Sequence, residues 1–582
     1  MVIKNAVKII GVIALAVTMS VMIFSCSGNN SSGNDSSGNI TTEDNSSDNN
    51  SSEVKKVGYW VTGDFHSHTN ISDGSYRAAQ VAAKAVEYGL DWYAATDHGG
   101  KFNRNDDGDD VGDRFRWETI LGEAFEKIKQ NRQSILQFNG FEMNAPGHEH
   151  ASVGIVGDND TSRRNLALFE YLFDASDSSS VTDLNPEMRT IADASRITKN
   201  TVNNQAKSLE AARWLQNNFA KTSYFLPNHP TRMLAGAGSG WLIKEIRELN
   251  DEAPDVFFGS EMLPGHQKSA FRGGLARFYY YDSNLGKIVQ LSPGTANTLE
   301  EMVDNYISNT DPDTTKAEIL DSLIKSVPKL RTYGGADFYA AIIGGVWDAL
   351  LSEGRHYWIF GNSDFHTNIA GGGEPDYWPG EYSKIYTFVE EKSYQGILDG
   401  MRSGNTYSVL GDLINYLDYN IKVDNSSATM GETVSGAANA ETVITISFKS
   451  PNRNNANTDG RYSLNDKPVV HHIDLIAGEV TGKAADYTVD SVTTTRIVTT
   501  FTEWDTDENG VCHITYTMPE TDKNTYYRLR GTNLAPNTSG LTDSNGNPLV
   551  DTPFDSVRGT NTEDKPFKDL WFYTNPIFVN AD

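Results

Sequence analysis

Two histidines one residue apart, His66 and His68, follow an apolar run that begins at Tyr59-Trp60-Val61, and Ser72-Asp73-Gly74 stands just beyond them. Residues i and i+2 of a strand point to the same side. Two imidazoles at the end of a buried strand can therefore reach one metal ion. The arrangement returns along the chain. Thr96-Asp97-His98-Gly99 follows the run ending at Ala95, and Gly140-Phe141-Glu142 follows the run from Ile135. His148-Glu149-His150 precedes the apolar run Ala151 to Val156. Asn228-His229-Pro230 follows Phe225-Leu226-Pro227, and Asn362-Ser363-Asp364-Phe365-His366 follows Ile359-Phe360-Gly361. Mixed imidazole and carboxylate donors suit zinc, manganese or iron, whereas thiolates would point to a structural zinc. Closely spaced ions of this kind activate a bound water and stabilise charge on phosphoryl oxygens.

Such residues need strand ends to carry them. Ala78 to Tyr88 reads as a helix with Val81, Ala82, Ala85 and Val86 on one face. Asp91 to Ala95 reads as a strand, Phe115 to Asn131 as a helix and Ile135 to Phe138 as a strand. Alternating strands and helices predict parallel βα units in an α/β barrel or layered sheet. In a barrel the C-terminal strand ends converge on one face, where residues distant in sequence meet. Residues 161–221 and 298–330 read as polar helical insertions that cover this scaffold. From Tyr419 the pattern changes to short alternating runs, Thr442 to Phe448, His472 to Ile476 and Arg496 to Phe501, with turn residues between them. That predicts a smaller all-β sandwich domain over residues 416–582, after an α/β domain over residues 57–415.

The chain has 582 residues, 38% hydrophobic, which suffices for more than one domain. A formal net charge of −28 argues against a nucleic-acid polymer as the main partner, because phosphate backbones need a basic footprint. A small phosphorylated substrate fits if bound metals neutralise its charge. Residues 1–25 read as a lipoprotein signal peptide: Lys4 and Lys8 precede an apolar stretch, Ile9 to Phe24, that is short for a membrane span. Ile23-Phe24-Ser25-Cys26 resembles a bacterial lipobox, with Cys26 as the lipidated residue. Residues 27–52 are almost wholly Ser, Asn, Gly, Asp and Thr, so residues 26–56 read as a flexible tether. The expectation is an extracytoplasmic protein held to a bacterial membrane through its N-terminal lipid only. With Cys26 lipidated, Cys512 is unpaired.

The order His-x-His, Asp-Gly, Thr-Asp-His, Gly-x-Glu, His before an apolar strand, Asn-His-Pro and Ser-Asp-x-His resembles the PHP family, the polymerase and histidinol phosphatase superfamily. The resemblance spans residues 58–415 and includes the closing segment Gly396 to Asn405. It implies a distorted (β/α)7 barrel, up to three divalent transition-metal ions (Zn, Mn or Fe), and hydrolysis of a phosphomonoester or phosphodiester by a metal-activated hydroxide. It also implies the metal ligands His66, His68, Asp73, His98, Glu142, His150, His229, Asp364 and His366, with catalytic weight on Asp73, Asp364 and His366. His148 and His150 compete for one of these roles. His150 is preferred because it abuts the following strand, as the family's ligand does.

Around this set, Arg232 suits a phosphate oxygen, and His266 in Pro264-Gly265-His266-Gln267 is a substrate contact or a packed loop residue. Glu261, after Val256-Phe257-Phe258, is an outer partner of a ligand or a loop carboxylate. His471, His472 and His513 fall in the sandwich and are not expected to bind metal. Asp106 to Asp110 reads as a solvated acidic loop, since it lacks the twelfth-position glutamate of an EF-hand. Arg528 and Arg530 share one strand face and could bridge to the barrel or approach its mouth. Two other classes stand beside the phosphoesterase. One is an amidohydrolase-like metal hydrolase, which also begins with His-x-His but usually carries a bridging lysine that these runs lack. The other is a non-catalytic, metal-stabilised surface binding protein.

Overall fold

The computed structural model describes residues 57–232, 240–269, 272–273, 278–282, 287–291, 299–310, 315–325, 328–368, 376–455, 467–519, 522–551 and 565–581. Residues 1–56, where the sequence reading places a signal peptide, a tether and a lipidated Cys26, lie outside these residues. Among the described residues no helix is long and apolar enough to cross a membrane.

The chain starts with β1 (Tyr59–Asp64), α1 (Ala78–Glu87) and β2 (Trp92–Ala95). A hairpin of β3 (Lys101–Arg104) and β4 (Asp110–Phe115) leads to α2 (Arg116–Leu121) and α3 (Glu123–Asn131). Strands β5 (Leu136–Asn144) and β6 (His150–Ile155) precede α4 (Asp160–Phe173), α5 (Pro186–Ser195) and α6 (Gln205–Phe219). Next come β7 (Ser223–Pro227), α7 (Ile243–Glu252), β8 (Gly259–Leu263), β9 (Phe278–Asp282), β10 (Lys287–Leu291), α8 (Leu299–Thr310) and α9 (Lys316–Lys325). Helices α10 (Phe338–Ala341) and α11 (Val346–Leu351) precede β11 (Trp358–Gly361), β12 (Ser383–Val389), α12 (Tyr394–Ser403) and β13 (Thr406–Leu410).

The result is a mixed α/β fold built, among the described residues, on a sheet of thirteen strands. Strands β1, β2 and β5 run parallel, as do β8 and β11. The pairs β1–β12, β5–β6 and β6–β7 are antiparallel. Among the described residues no closed ring of seven parallel strands is shown. One reason is local: only residues 145–149 separate β5 from β6, and parallel neighbours need a crossover of a dozen residues or more. The strands are still the buried kind expected between layers, since every residue of β7, β8 and β11 is buried.

Two further expectations are corrected. The helix expected over Phe115 to Asn131 is broken at Gly122, whose N–H returns to the Glu118 and Thr119 carbonyls before α3 restarts. Glycine carries the largest entropy cost of any non-proline residue in a helix, so the break falls there. The stretch from residue 161 is not merely polar cover. Helix α4 buries Leu166, Phe169, Leu172 and Phe173 in the main core, together with the carboxylate of Glu170.

The C-terminal chain comprises β14 (Tyr416–Val423), β15 (Ser426–Thr429), β16 (Thr433–Gly436), β17 (Thr442–Lys449), β18 (His472–Glu479) and β19 (Arg496–Phe501). It continues through β20 (Asp505–Thr506), β21 (Cys512–Thr517), β22 (Thr525–Thr532), β23 (Trp571–Thr574) and β24 (Ile577–Ala581). Strands β15, β14, β17, β21 and β20 form one sheet, with Leu417, Tyr419, Ile421 and Val423 of β14 on its buried face. The others extend the large sheet, because β13 pairs with β23 and the ladder continues to β22 and β18. The hydrogen-bonded sheet thus runs across residue 415.

The two strand arginines of β22 have separate partners. Arg528 grips Asp348 of α11 through two 2.9 Å bonds, and Tyr526 Oη adds a third at 3.0 Å. Arg530 turns to Asp474 on β18, with Nη2 at 2.7 Å. Only Arg528 bridges to the α/β layers. Both members of its pair are buried, so removing one strands the other charge. Arg528→Ala should lower unfolding free energy by about 3–5 kcal/mol in urea denaturation. Replacing Arg528 and Asp348 together by apolar residues should cost far less. An unchanged midpoint for Arg528→Ala would contradict this account.

Candidate metal centre

The centre begins where β1 stops. Asp64 accepts from His66 N (2.9 Å) and Ser363 N (3.0 Å), and Phe65 N donates to Asn362 Oδ1 (2.9 Å). His68 N donates to Phe365 O (2.8 Å), and Asp364 N to His66 O (2.9 Å). The segment carrying His66 and His68 is thereby zipped to the segment carrying Asp364 and His366. The turn to Asp73 is held from below by Asp97, which accepts from Thr69 N and Oγ1 (2.8 Å each) and from Ser72 Oγ (2.7 Å). Gly74 has no room for a side chain, since a Cβ would lie 2.7 Å from Thr69 N. Arg116 Nε donates to His98 O (2.6 Å), and Glu170 accepts from Gly100 N (2.9 Å) and Trp117 N (3.2 Å). Helix α4 thus fixes the loop that carries His98.

Three of the four metal-type donor groups among the described residues gather here. His66, His68, Glu142 and Asp364 form the deepest, all buried. His66 Nε2 lies 3.0 Å from Glu142 Oε1 and 3.1 Å from Asp364 Oδ1. His68 Nε2 lies 3.3 Å from Glu142 Oε2 and 3.3 Å from Asp364 Oδ1. Donors bound tetrahedrally at about 2.1 Å from an ion are roughly 3.4 Å apart, so these spacings are close to those of a ligand shell. His68, Asp73, His98 and His366 form the second group, with Asp73 Oδ2 3.3 Å from His98 Nε2 and 3.5 Å from His366 Nε2. His98, Glu142 and His150 form the third. His98 Nδ1 and His150 Nδ1 stand 3.0 and 3.2 Å from Glu142. His229 Nε2 completes the circle at 3.3 Å from Glu142 Oε1.

The donor set fits divalent metal. Glu142 Oε2 and Asp364 Oδ1 are buried and accept no well-formed hydrogen bond, although imidazole nitrogens surround them. Such orphaned oxygens are costly unless a cation completes them. The charges agree. Burial opposes ionisation of Glu142, yet His150, His66 and His98 hold it well below the carboxylate range. Burial also opposes protonation of His66, but Asp364, Glu142 and Glu261 hold it well above the usual imidazole value. His98 is raised in the same way by Glu142 and Asp73.

His148 stands apart. Its ring stacks on Trp241 at 4.2 Å, and Nε2 meets Gln205 Oε1 at 2.6 Å. Arg232 and His266 are at the centre, but behind Asp364: Arg232 Nη2 donates to Asp364 Oδ2 at 2.7 Å and His266 Nε2 lies 3.1 Å from the same oxygen. Glu261 accepts from His66 Nδ1 at 2.6 Å and from Gly265 N at 3.1 Å, so Nε2 is the nitrogen His66 turns to the centre. Sequence reasoning gave no role to Asn228, whose Nδ2 donates to Glu142 Oε1 at 2.8 Å, although Asn-His-Pro contained the signal. It also missed Asp376, which no motif marks. Among the described residues no metal-type group includes His471, His472 or His513. The acidic loop is corrected in part: Asp106 is buried and accepts from Ala78 N (2.6 Å) at the start of α1.

No family model matches the chain, and no curated protein matches it. Among solved structures, a two-domain protein containing a predicted PHP-like metal-dependent phosphoesterase from Bacteroides vulgatus ATCC 8482 is 13% identical. The match covers 87% of this chain and 99% of that one, with a TM-score of 0.30. Overlap that low leaves the metal-binding assignment resting on the donor geometry itself.

The raised imidazoles yield a testable sign. Metal ligation needs neutral imidazole, so ions must displace protons from His66 and His98. Near neutral pH, metal binding should release protons and tighten as pH rises. Calorimetric titration in two buffers of different ionisation enthalpy checks this, and heats independent of buffer would contradict it.

Proposed function

We propose that this chain is a PHP-type metal-dependent phosphoesterase that hydrolyses a small phosphomonoester or phosphodiester. The observation that carries the reading is Glu142: one buried carboxylate within 3.3 Å of nitrogens of His66, His68, His98, His150 and His229. A carboxylate so surrounded is placed to bridge ions. His66, His68, Glu142 and Asp364 would hold one ion; Asp73, His98 and His366 a second; and Glu142 with His150 a third, with His229 standing against Glu142 Oε1 beside them. Ions of the zinc, manganese or iron type supply an acidified water and neutralise phosphoryl charge when bound.

The protein's own residues then set direction. Asp73 is 44% exposed, whereas Glu142 and Asp364 are 1% exposed. Substrate therefore approaches from the Asp73 side, with His98, His150 and His366 at the rim. Asp364 presents Oδ1 inward because Arg232 occupies Oδ2. The ligand-bearing runs carry no lysine of the bridging kind, which favours this chemistry over the amidohydrolase-like alternative. The parallel sets β1–β2–β5 and β8–β11 are read as arcs of a distorted (β/α)7 barrel. The acidic chain selects a small substrate over a nucleic-acid polymer. Residues 1–56 are read as an export signal and tether, with Cys26 lipidated and the protein facing away from the cytoplasm.

Elemental analysis of protein purified without chelators should find two to three transition-metal ions per chain. One or none after reconstitution with zinc, manganese and iron would favour the metal-stabilised binding scaffold. On a panel of phosphomonoesters and diesters, Asp364→Asn should lose more than the roughly 10–100-fold typical of outer ligand partners. Retained activity in that variant would remove Asp364 from the reaction. For the anchor, Cys26→Ser should move the protein from the detergent phase to the aqueous phase in detergent partitioning, and no shift would exclude lipid at Cys26.

A further inference from the structure

We infer that Asp376 is a positioning residue of the metal centre, acting on Asp364 through His266 and on His366 through its backbone. The inference rests on the reading of this site as a metal centre. Asp376 is completely buried and belongs to no recognisable motif. Its Oδ1 accepts from His266 Nδ1 at 2.5 Å, and the opposite nitrogen of that ring lies 3.1 Å from Asp364 Oδ2. Its Oδ2 accepts from His366 N at 2.6 Å and Thr367 N at 3.2 Å. Its own N–H donates to Thr367 O at 2.6 Å, and Asn368 Nδ2 donates to its carbonyl at 2.9 Å. One side chain therefore grips two ligand-bearing points.

The backbone is bent to allow this. Eight non-glycine residues have positive φ among the described residues, and three of them meet here: His229 at 28°, His266 at 55° and Asp364 at 46°. Such conformations cost free energy and persist where the surroundings over-determine them. Gly265 packs against the Asp364 segment so tightly that a Cβ would lie 2.1 Å from Ser363 O and 2.2 Å from Asp364 Cβ. His266 N then bonds Ser363 O at 3.3 Å. The loop is pressed onto Asp364, and the ring fills the space between two carboxylates. With Oδ2 of Asp364 taken by His266 and Arg232, Oδ1 is the oxygen left facing His66 and His68.

His266, His366 and Asp376 are close enough together to be considered for an ion of their own. Both Asp376 oxygens, however, already accept N–H groups, and His266 Nδ1 sits at hydrogen-bond distance. That pattern orients a ligand from behind, as carboxylates do for metal-bound histidines.

The test is chelator titration of full-length holoprotein, following metal release alongside thermal unfolding of the metal-free form. In Asp376→Asn, the ions held by the groups containing Asp364 and His366 should leave at roughly 10–100-fold lower chelator concentration. The metal-free variant should unfold modestly below the parent, because the Asn amide cannot accept all three N–H groups, and the metal-loaded variant should fall further. His266→Asn breaks the link to Asp364 but leaves the backbone bonds of Asp376, so only the Asp364-dependent ion should be weakened. Unchanged release with lost hydrolysis would overturn the inference and place His266 on the substrate. Loss of a whole ion relative to the parent stoichiometry would make Asp376 a ligand and also overturn it. An equal drop in melting temperature with and without metal would make its role structural only. A parent that holds no metal would instead sink the reading of the site itself.

Discussion

Glu142 is the constraint around which the rest is arranged. A carboxylate at 1% exposure is expensive unless charge and hydrogen bonds compensate it. Here the compensation comes from strand ends far apart in the chain. His66 and His68 come from beyond β1, His98 from beyond β2, His150 from the start of β6, and His229 from beyond β7. The parallel run β1–β2–β5 brings three of these points to one edge. The antiparallel return of β6 then carries His150 back to Glu142 across a short turn. The departure from an all-parallel sheet thus delivers a donor to the centre.

Behind the imidazoles stands a second layer of donors and acceptors. Glu261 fixes His66, and Asn228 donates to Glu142. Asp97 holds the Asp73 turn, and Glu170 and Arg116 hold the His98 loop. Each uses a buried side chain to bind a backbone group, a hydroxyl or an inner side chain of the centre. Their common effect is to leave the facing nitrogen or oxygen of each inner residue with no other geometry to adopt. Preorganisation of this kind lowers the reorganisation cost of taking up an ion.

The inner donors were legible in the sequence because chemistry and position coincide there: a histidine or carboxylate directly after an apolar run has few other uses. The supporting layer was much less legible. Glu170 lies in Leu168-Phe169-Glu170-Tyr171-Leu172, where a carboxylate within an apolar run could have flagged a buried acceptor. Its partners are backbone groups in distant loops, which no spacing rule reveals. Asp376 follows Glu374-Pro375 and resembles any loop acid. The break at Gly122 was readable from glycine's helix cost, but the apolar periodicity on both sides masked it. The turn between Asn144 and His150 was short enough to require an antiparallel pair, a constraint that the alternation of strands and helices hid.

The C-terminal strands enter the site's support through one buried cation. Arg272 pairs with Asp569, just before β23, and donates to Tyr382 Oη at 2.9 Å and Gln267 Oε1 at 3.1 Å. Gln267 in turn donates to Pro264 O at 2.6 Å and Gly335 O at 2.8 Å, and Gly335 N donates to Asp551 at 2.8 Å. Gln267 is the neighbour of His266. The loop that presses on Asp364 is therefore backed by carboxylates from beyond residue 550, through an arginine that has no exposed alternative. An unpaired guanidinium at that depth would be severely penalised, so Asp569 must be in place for Arg272 to stay folded against Gln267. The β13–β23 pairing supplies that placement. The strands after residue 415 thus hold a wall of the centre as well as completing the sheet.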